Sequence, residues 1–212
     1  SILLVTLLCI LPISCQQTEL QFSCDPDINQ FVAENREELS QISVFEITTY
    51  DLSLQRAVFI SWDYQKRRSA WIDKFTYVLA NGNFTDPETG HILKIINHIH
   101  SEYFLNEDTL QETREQFAAD WINYAFTELN WTEKFVAFMV YRLYTDYSQL
   151  ESELSQLDQL NETIDTDTET GDCDCNVSAD FCMYAICTSY DCNILLTGCG
   201  WLWNERCDGL CI

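Results

Sequence analysis

Residues 85–103 read TDPETGHILKIINHIHSEY, and this stretch decides the fold class. Thr85 is a helix-capping residue, Pro87 sits in a first turn that needs no amide donor, and Glu88 puts an acid at the positive end of the helix dipole. Behind them Ile92, Ile95, Ile96, Ile99 and Tyr103 recur in steps of three and four. That period places one apolar face along a helix, predicted from Asp86 to about Tyr103.

The same period extends in both directions. From Asp27 to Leu160 the only glycines are Gly82 and Gly90 and the only proline is Pro87, so helix breakers are scarce. A first helix is predicted from Asp27 to Gln41, behind Pro26, with Ile28, Phe31, Val32 and Leu39 as its apolar stripe. A second covers Leu52 to Trp62 and a third Tyr64 to Leu79, carrying Trp71, Phe75, Val78 and Leu79. A fifth runs from Asp108 to Leu129 with Phe117, Trp121, Tyr124 and Ala125. A sixth opens at Asn130-Trp131-Thr132-Glu133 and carries the seam Leu143, Tyr147, Leu150, Leu154 and Leu157.

The chain has 212 residues, 47% of them hydrophobic, enough for one cored domain plus a small appendage. Its 11 Lys and Arg against 34 Asp and Glu give a net charge of −23, which repels phosphate backbones and argues against nucleic-acid binding. Lys66-Arg67-Arg68 is the one basic cluster, read as an internal ion-pairing patch.

At the start, SILLVTLLCILPIS is an apolar run too short to span a bilayer and reads as the core of an export signal, with a few residues expected to precede it. Leu11-Pro12-Ile13-Ser14-Cys15 resembles a bacterial lipobox, from which Pro12 departs. Acylation of Cys15 would anchor the protein to a membrane and leave Cys24 single. Without acylation, Cys15 and Cys24 can close a loop.

From Leu143 to Asp172 there are nine acids and no Lys or Arg, and NETIDTDTETGD, residues 161–172, has no apolar period. It is predicted to be a solvated linker that proteases cut first. The expected organisation is therefore a signal or lipobox segment over 1–15, a helical domain over 16–160, the acidic linker over 161–172, and a cysteine-rich module over 173–212. The fold class is mostly α: a bundle of five or six helices followed by a small disulfide-stapled module.

Eight of the 11 cysteines lie in the tail: Cys173, Cys175, Cys182, Cys187, Cys192, Cys199, Cys207 and Cys211. Some forty residues close too small a core alone, so four disulfides within the tail are predicted, their pairing open. The spacing is a C-x-C followed by gaps of six, four, four, six, seven and three residues, unlike the paired C-x-x-C of structural zinc sites. Gly198, Gly200 and Gly209 supply turns. Trp201 and Trp203 would face the same way in an extended strand, giving an apolar patch with Leu202.

The tail resembles fulvocin C, and the chain resembles the exported proteins of the bacteriocin fulvocin C-related family. The matching residues are Cys173-Asp174-Cys175, Ser178-Ala179-Asp180-Phe181-Cys182, Thr197-Gly198-Cys199-Gly200, Trp203, Cys207 and Gly209, with Cys24-Asp25-Pro26 and the helical middle for the longer proteins. Cys211 departs from the bacteriocin's closing C-x-C. The resemblance implies an exported precursor whose stapled tail is the antibacterial or target-binding element.

Catalytic motifs are not found. His91, His98 and His100 share one helix, and His91 and His98 share a face, two turns apart, without a metal-binding motif. No enzyme activity, metal or other cofactor is expected. Trp62, Trp71, Trp121 and Trp131 are expected in the core.

Two functions follow. In the first, the protein is a lipid-anchored bacteriocin-like precursor, its tail aimed at a receptor or envelope protein of a target cell. The tail's five acids and one base, Arg206, argue against attraction to anionic lipid, and Trp201, Leu202 and Trp203 are the expected contact residues. In the second, it is a non-toxic surface lipoprotein that keeps the tail as a rigid adhesion or partner-binding module. Either way it is exported, to the bacterial envelope or beyond.

Overall fold

In the computed structural model, residues 21–23, 25–105, 111–161, 175–177, 187–189 and 195–211 are described. The expected signal, Cys15, Cys24, the linker after Asn161, and Cys173, Cys182 and Cys192 lie outside them. The described chain is mostly helical and ends in short strands that carry two disulfides.

Most helices begin where a side chain accepts from the first turn's amides. Asp25 accepts from Asp27 and Ile28 and opens α1 (Pro26–Glu34). Asn35, with φ −107°, interrupts the single first helix that was expected, and α2 (Arg36–Leu39) follows. Ser43 and Glu46 form a reciprocal capping box that starts a short α3 (Val44–Ile47), an element the apolar period did not reveal. Asp51 caps α4 (Leu52–Ser61), Asp63 caps α5 (Tyr64–Asn81), and Thr85 with Glu88 caps α6 (Asp86–His98).

α6 ends five residues earlier than predicted. The carbonyl of its C-cap residue, Ile99, is taken by α5, where Arg68 Nε donates to it at 2.8 Å, and turns carry the chain to Tyr103 and Phe104. α7 (Gln111–Thr127) follows, then α8 (Glu133–Val140), capped by Thr132, and α9 (Tyr147–Asn161). The expected sixth helix is thus two helices, broken at Tyr141–Asp146, although Leu143, Leu150 and Leu154 of its seam are buried as the period required.

The break has a definite cause. Lys74, on α5 and fully buried, donates its three ammonium hydrogens to the carbonyls of Phe138, Met139 and Arg142, the Met139 contact being 2.8 Å. A cation there satisfies the orphan acceptors at the C-terminus of α8 and favours the negative end of its dipole. The Trp71, Phe75 and Phe138 rings surround the ammonium within 6 Å. Arg67 does the same for α4, reaching the carbonyls of Phe59, Ile60 and Trp62. Arg67 and Arg68 therefore bind helix-end carbonyls, which corrects the ion-pairing reading of that cluster.

In the tail, β1 (Cys187–Ser189) pairs antiparallel with β4 (Gly209–Cys211), and β2 (Leu195–Cys199) pairs antiparallel with β3 (Glu205–Cys207). Cys175 is bridged to Cys187, and Cys199 to Cys207. Between β2 and β3 lies a single 3-10 turn, Trp201–Trp203.

Candidate functional site: the seat of the tail

The Trp201–Trp203 turn is not a surface patch. Trp201 is 2% exposed and Leu202 and Trp203 are 0% exposed, and all three belong to one hydrophobic core with residues of the helices. In the folded chain, Trp201, Leu202 and Trp203, the expected target-contact residues, are therefore covered and do not form the expected surface patch. Their spacing suggested a common face in an extended strand, but the backbone turns sharply. Gly200 has φ 66°, Leu202 54° and Trp203 55°, so two side chains adopt the left-handed conformation that costs a non-glycine residue on the order of 1 kcal/mol or more. Burying two indoles and a leucine offsets that cost.

Each indole meets a prepared acceptor. Trp201 Nε1 donates to the Tyr103 hydroxyl at 2.9 Å, and Trp203 Nε1 donates to the Tyr141 carbonyl at 3.0 Å. Tyr141 lies in the break that Lys74 holds open, so the same buried lysine that ends α8 lies behind the Trp203 acceptor. Around Trp203 stand Phe59 and Trp71, edge-on at 5.4 and 6.1 Å, with the Arg56 guanidinium 6.0 Å from its ring. Around Trp201 stand Trp121 at 5.4 Å and Phe117 at 6.3 Å. The hairpin is closed inside by Thr197 Oγ1, which donates to the Trp203 carbonyl, and by the buried Cys199–Cys207 bridge at its neck.

The electrostatics of the seat follow from burial. Burial pushes the Tyr103 phenol above the usual tyrosine value, against the hydrogen bond from Trp201 and the nearby Arg114. Burial also holds the Lys74 ammonium well below the usual lysine value, and Arg142 adds to the effect. Arg142 itself is buried and makes a two-pronged ion pair with Glu153, its Nη2 2.9 Å from Oε1. Tyr144, pushed up by burial and then by Glu153, completes this polar group. Lys74 and Arg142 are both buried, so this group reads as the polar heart of the fold.

Two of the three histidines line the same seat. His91 is buried; its ring stacks on Trp121 at 4.3 Å, and His98 stacks on Phe117 at 3.6 Å. Among the described residues no group of His, Cys, Asp or Glu side chains is placed to hold a metal, and no helix is long and apolar enough to cross a membrane. Of the predicted cysteines, Cys175, Cys187, Cys199 and Cys207 are brought together in pairs, and Cys211 stands opposite Cys187 in β4. What the sequence reading missed was Tyr103, Tyr141 and Lys74 as the seat's polar partners. Apolar period identifies a buried face but carries no information about a contact 98 residues away.

Comparison with known proteins finds no match, whether to family models, to curated proteins or to solved structures.

Proposed function

We propose that this is an exported, envelope-anchored protein without catalytic activity, in which the cysteine-rich tail is a permanent part of the folded body and presents a rigid surface to a protein partner. The observation that carries this reading is the burial of Trp201, Leu202 and Trp203 in the helical core. A released peptide would have to withdraw two indoles, break their bonds to Tyr103 and Tyr141, and leave a cavity of the kind that costs several kcal/mol. The tail's outer side, where Val177, Ser189 and Arg206 are exposed, remains open to a partner. Disulfides support an oxidising compartment, and Cys15 is the proposed lipid-bearing residue.

The test is to cut the linker of the oxidised, full-length protein with a protease and run it on a sizing column without denaturant. The expected result is cleavage within residues 162–172 with both pieces eluting together, and membrane retention of the intact protein that Cys15→Ala abolishes. A tail fragment beginning near Cys173 that elutes alone, or is found free outside cells, would overturn the reading in favour of the bacteriocin precursor.

A further inference from the structure

We propose that His91 and His98 form an acid-sensitive latch on the tail: as neutral rings they back the wall that holds Trp201, and on protonation they open it. The two residues sit seven apart on one face of α6, and each covers one of the two α7 rings that Trp201 packs against. His91 lies at 15° to Trp121 and His98 at 6° to Phe117, with centroids 4.3 and 3.6 Å apart. Trp201 meets the same Trp121 and Phe117 edge-on. Tyr103, which accepts from Trp201, stands edge-on to His98 at 5.5 Å.

Neither imidazole has an acceptor for every N–H that protonation would give it. His91 Nε2 lies 3.1 Å from the Trp121 carbonyl and so carries the hydrogen, while its Nδ1 is buried with no hydrogen-bond partner. His98 Nε2 is likewise buried without a partner. An imidazolium donates from both nitrogens, so protonation would put an N–H into each of these places with nothing to accept it.

The charged neighbours do not relieve this. His91 faces Trp121, Tyr124 and Trp131, with Lys94 on its own helix adding positive charge; Glu88, the nearest acid through Trp131, is committed to that indole and to Thr85. His98 faces His100 on its own segment, Phe117 on α7 and Tyr103, beside which lie Arg114 from α7 and Glu205 from the tail. Burial first, then Lys94, lowers His91 to about 4, and burial with His100 lowers His98. A base that is harder to protonate when folded loses stability as acid is added below its unfolded value of 6.5. Each histidine multiplies the opening constant up to about tenfold per pH unit over that window. The exposed tail would then be the Trp201–Trp203 turn with its hairpin, still closed by the Cys199–Cys207 bridge.

The latch rests on the seated tail of the proposed function, and one experiment separates the two. Amide hydrogen exchange is followed on the full-length, oxidised protein from pH 7 to pH 4, corrected for intrinsic rates, alongside wild type, His98→Phe and His91→Gln. The expected result is protection of residues 195–207 at pH 7, its loss on acidification together with part of 111–127, and retention to lower pH in His98→Phe, which keeps the stack but cannot be protonated. His91→Gln keeps a donor for the Trp121 carbonyl and is expected to shift opening in the same direction. Identical acid opening in wild type and His98→Phe, or no opening by pH 4, would overturn the latch. Histidine ring signals of the wild-type protein are also titrated directly, and ordinary values near 6.5 for both residues would overturn it as well. Absence of protection at pH 7 would overturn the seat itself.

Discussion

Trp201 Nε1 donates to the Tyr103 hydroxyl at 2.9 Å across 98 residues of chain. This bond ties the cysteine-rich tail to the turn that follows α6. With its counterpart from Trp203 to the Tyr141 carbonyl, it seats the Trp201–Trp203 turn in the helical core.

Tyr103→Phe keeps the ring contacts and removes only the acceptor, leaving a buried indole N–H unpaired. The expected loss is about 1 to 3 kcal/mol in urea unfolding. Trp203→Ala removes a whole buried indole and is expected to lose about 3 to 5 kcal/mol. A Trp203→Ala protein as stable as wild type would show that the tail is not in the core.

Lys74→Met replaces the buried ammonium with an apolar chain of similar length and leaves the Phe138, Met139 and Arg142 carbonyls without their donor. A loss of about 2 to 4 kcal/mol is expected. The pH dependence has a definite sign. Burial keeps the folded lysine well below its ordinary 10.5, so between those values the unfolded chain holds a proton that the folded chain does not. Its contribution to wild-type stability rises with pH over that window, and Lys74→Met removes it, as chemical denaturation at several pH values would show.

Tyr144 has the opposite sign. Its phenol is raised by burial and by Glu153, while an unfolded tyrosine ionises near 10. The stability it contributes is intact below pH 10 and falls above it, as the unfolded chain releases protons that the folded one retains. Denaturant midpoints between pH 9 and 11 are expected to fall less steeply for Tyr144→Phe.

Gly198 has φ 114°, and a Cβ there would lie 2.7 Å from Ile60 Cδ1, where α4 meets β2. Gly198→Ala is expected to lose about 1 to 3 kcal/mol from backbone strain and from displacement of the hairpin. Gly90, inside α6, has nothing within 4 Å of such a Cβ, and Gly90→Ala is expected to gain about 0.5 to 1 kcal/mol. Thermal unfolding of the two variants would show shifts of opposite sign.

Local chemistry made much of this fold legible in the residue order alone. The Thr85-Asp86-Pro87-Glu88 start, the buried faces led by Trp71, Phe75, Ile92 and Ile95, and the crowding of cysteines in the tail all depend on contacts within a few residues. Where helices stop is a different matter. α6 ends where Arg68 takes the Ile99 carbonyl, and α8 ends where Lys74 takes three more, and both cations come from α5. The cations are remote in sequence from the carbonyls they take, Arg68 by 31 residues and Lys74 by 64 to 68. The role of Trp201-Leu202-Trp203 was decided in the same way. In sequence these residues form an apolar tripeptide between Gly200 and Asn204, equally suited to a surface contact or to a core. Only the tertiary structure supplies the Tyr103 hydroxyl, the Tyr141 carbonyl and the rings of Phe59, Trp71 and Trp121 that choose the core, because burial is a property of what the rest of the chain places around a residue.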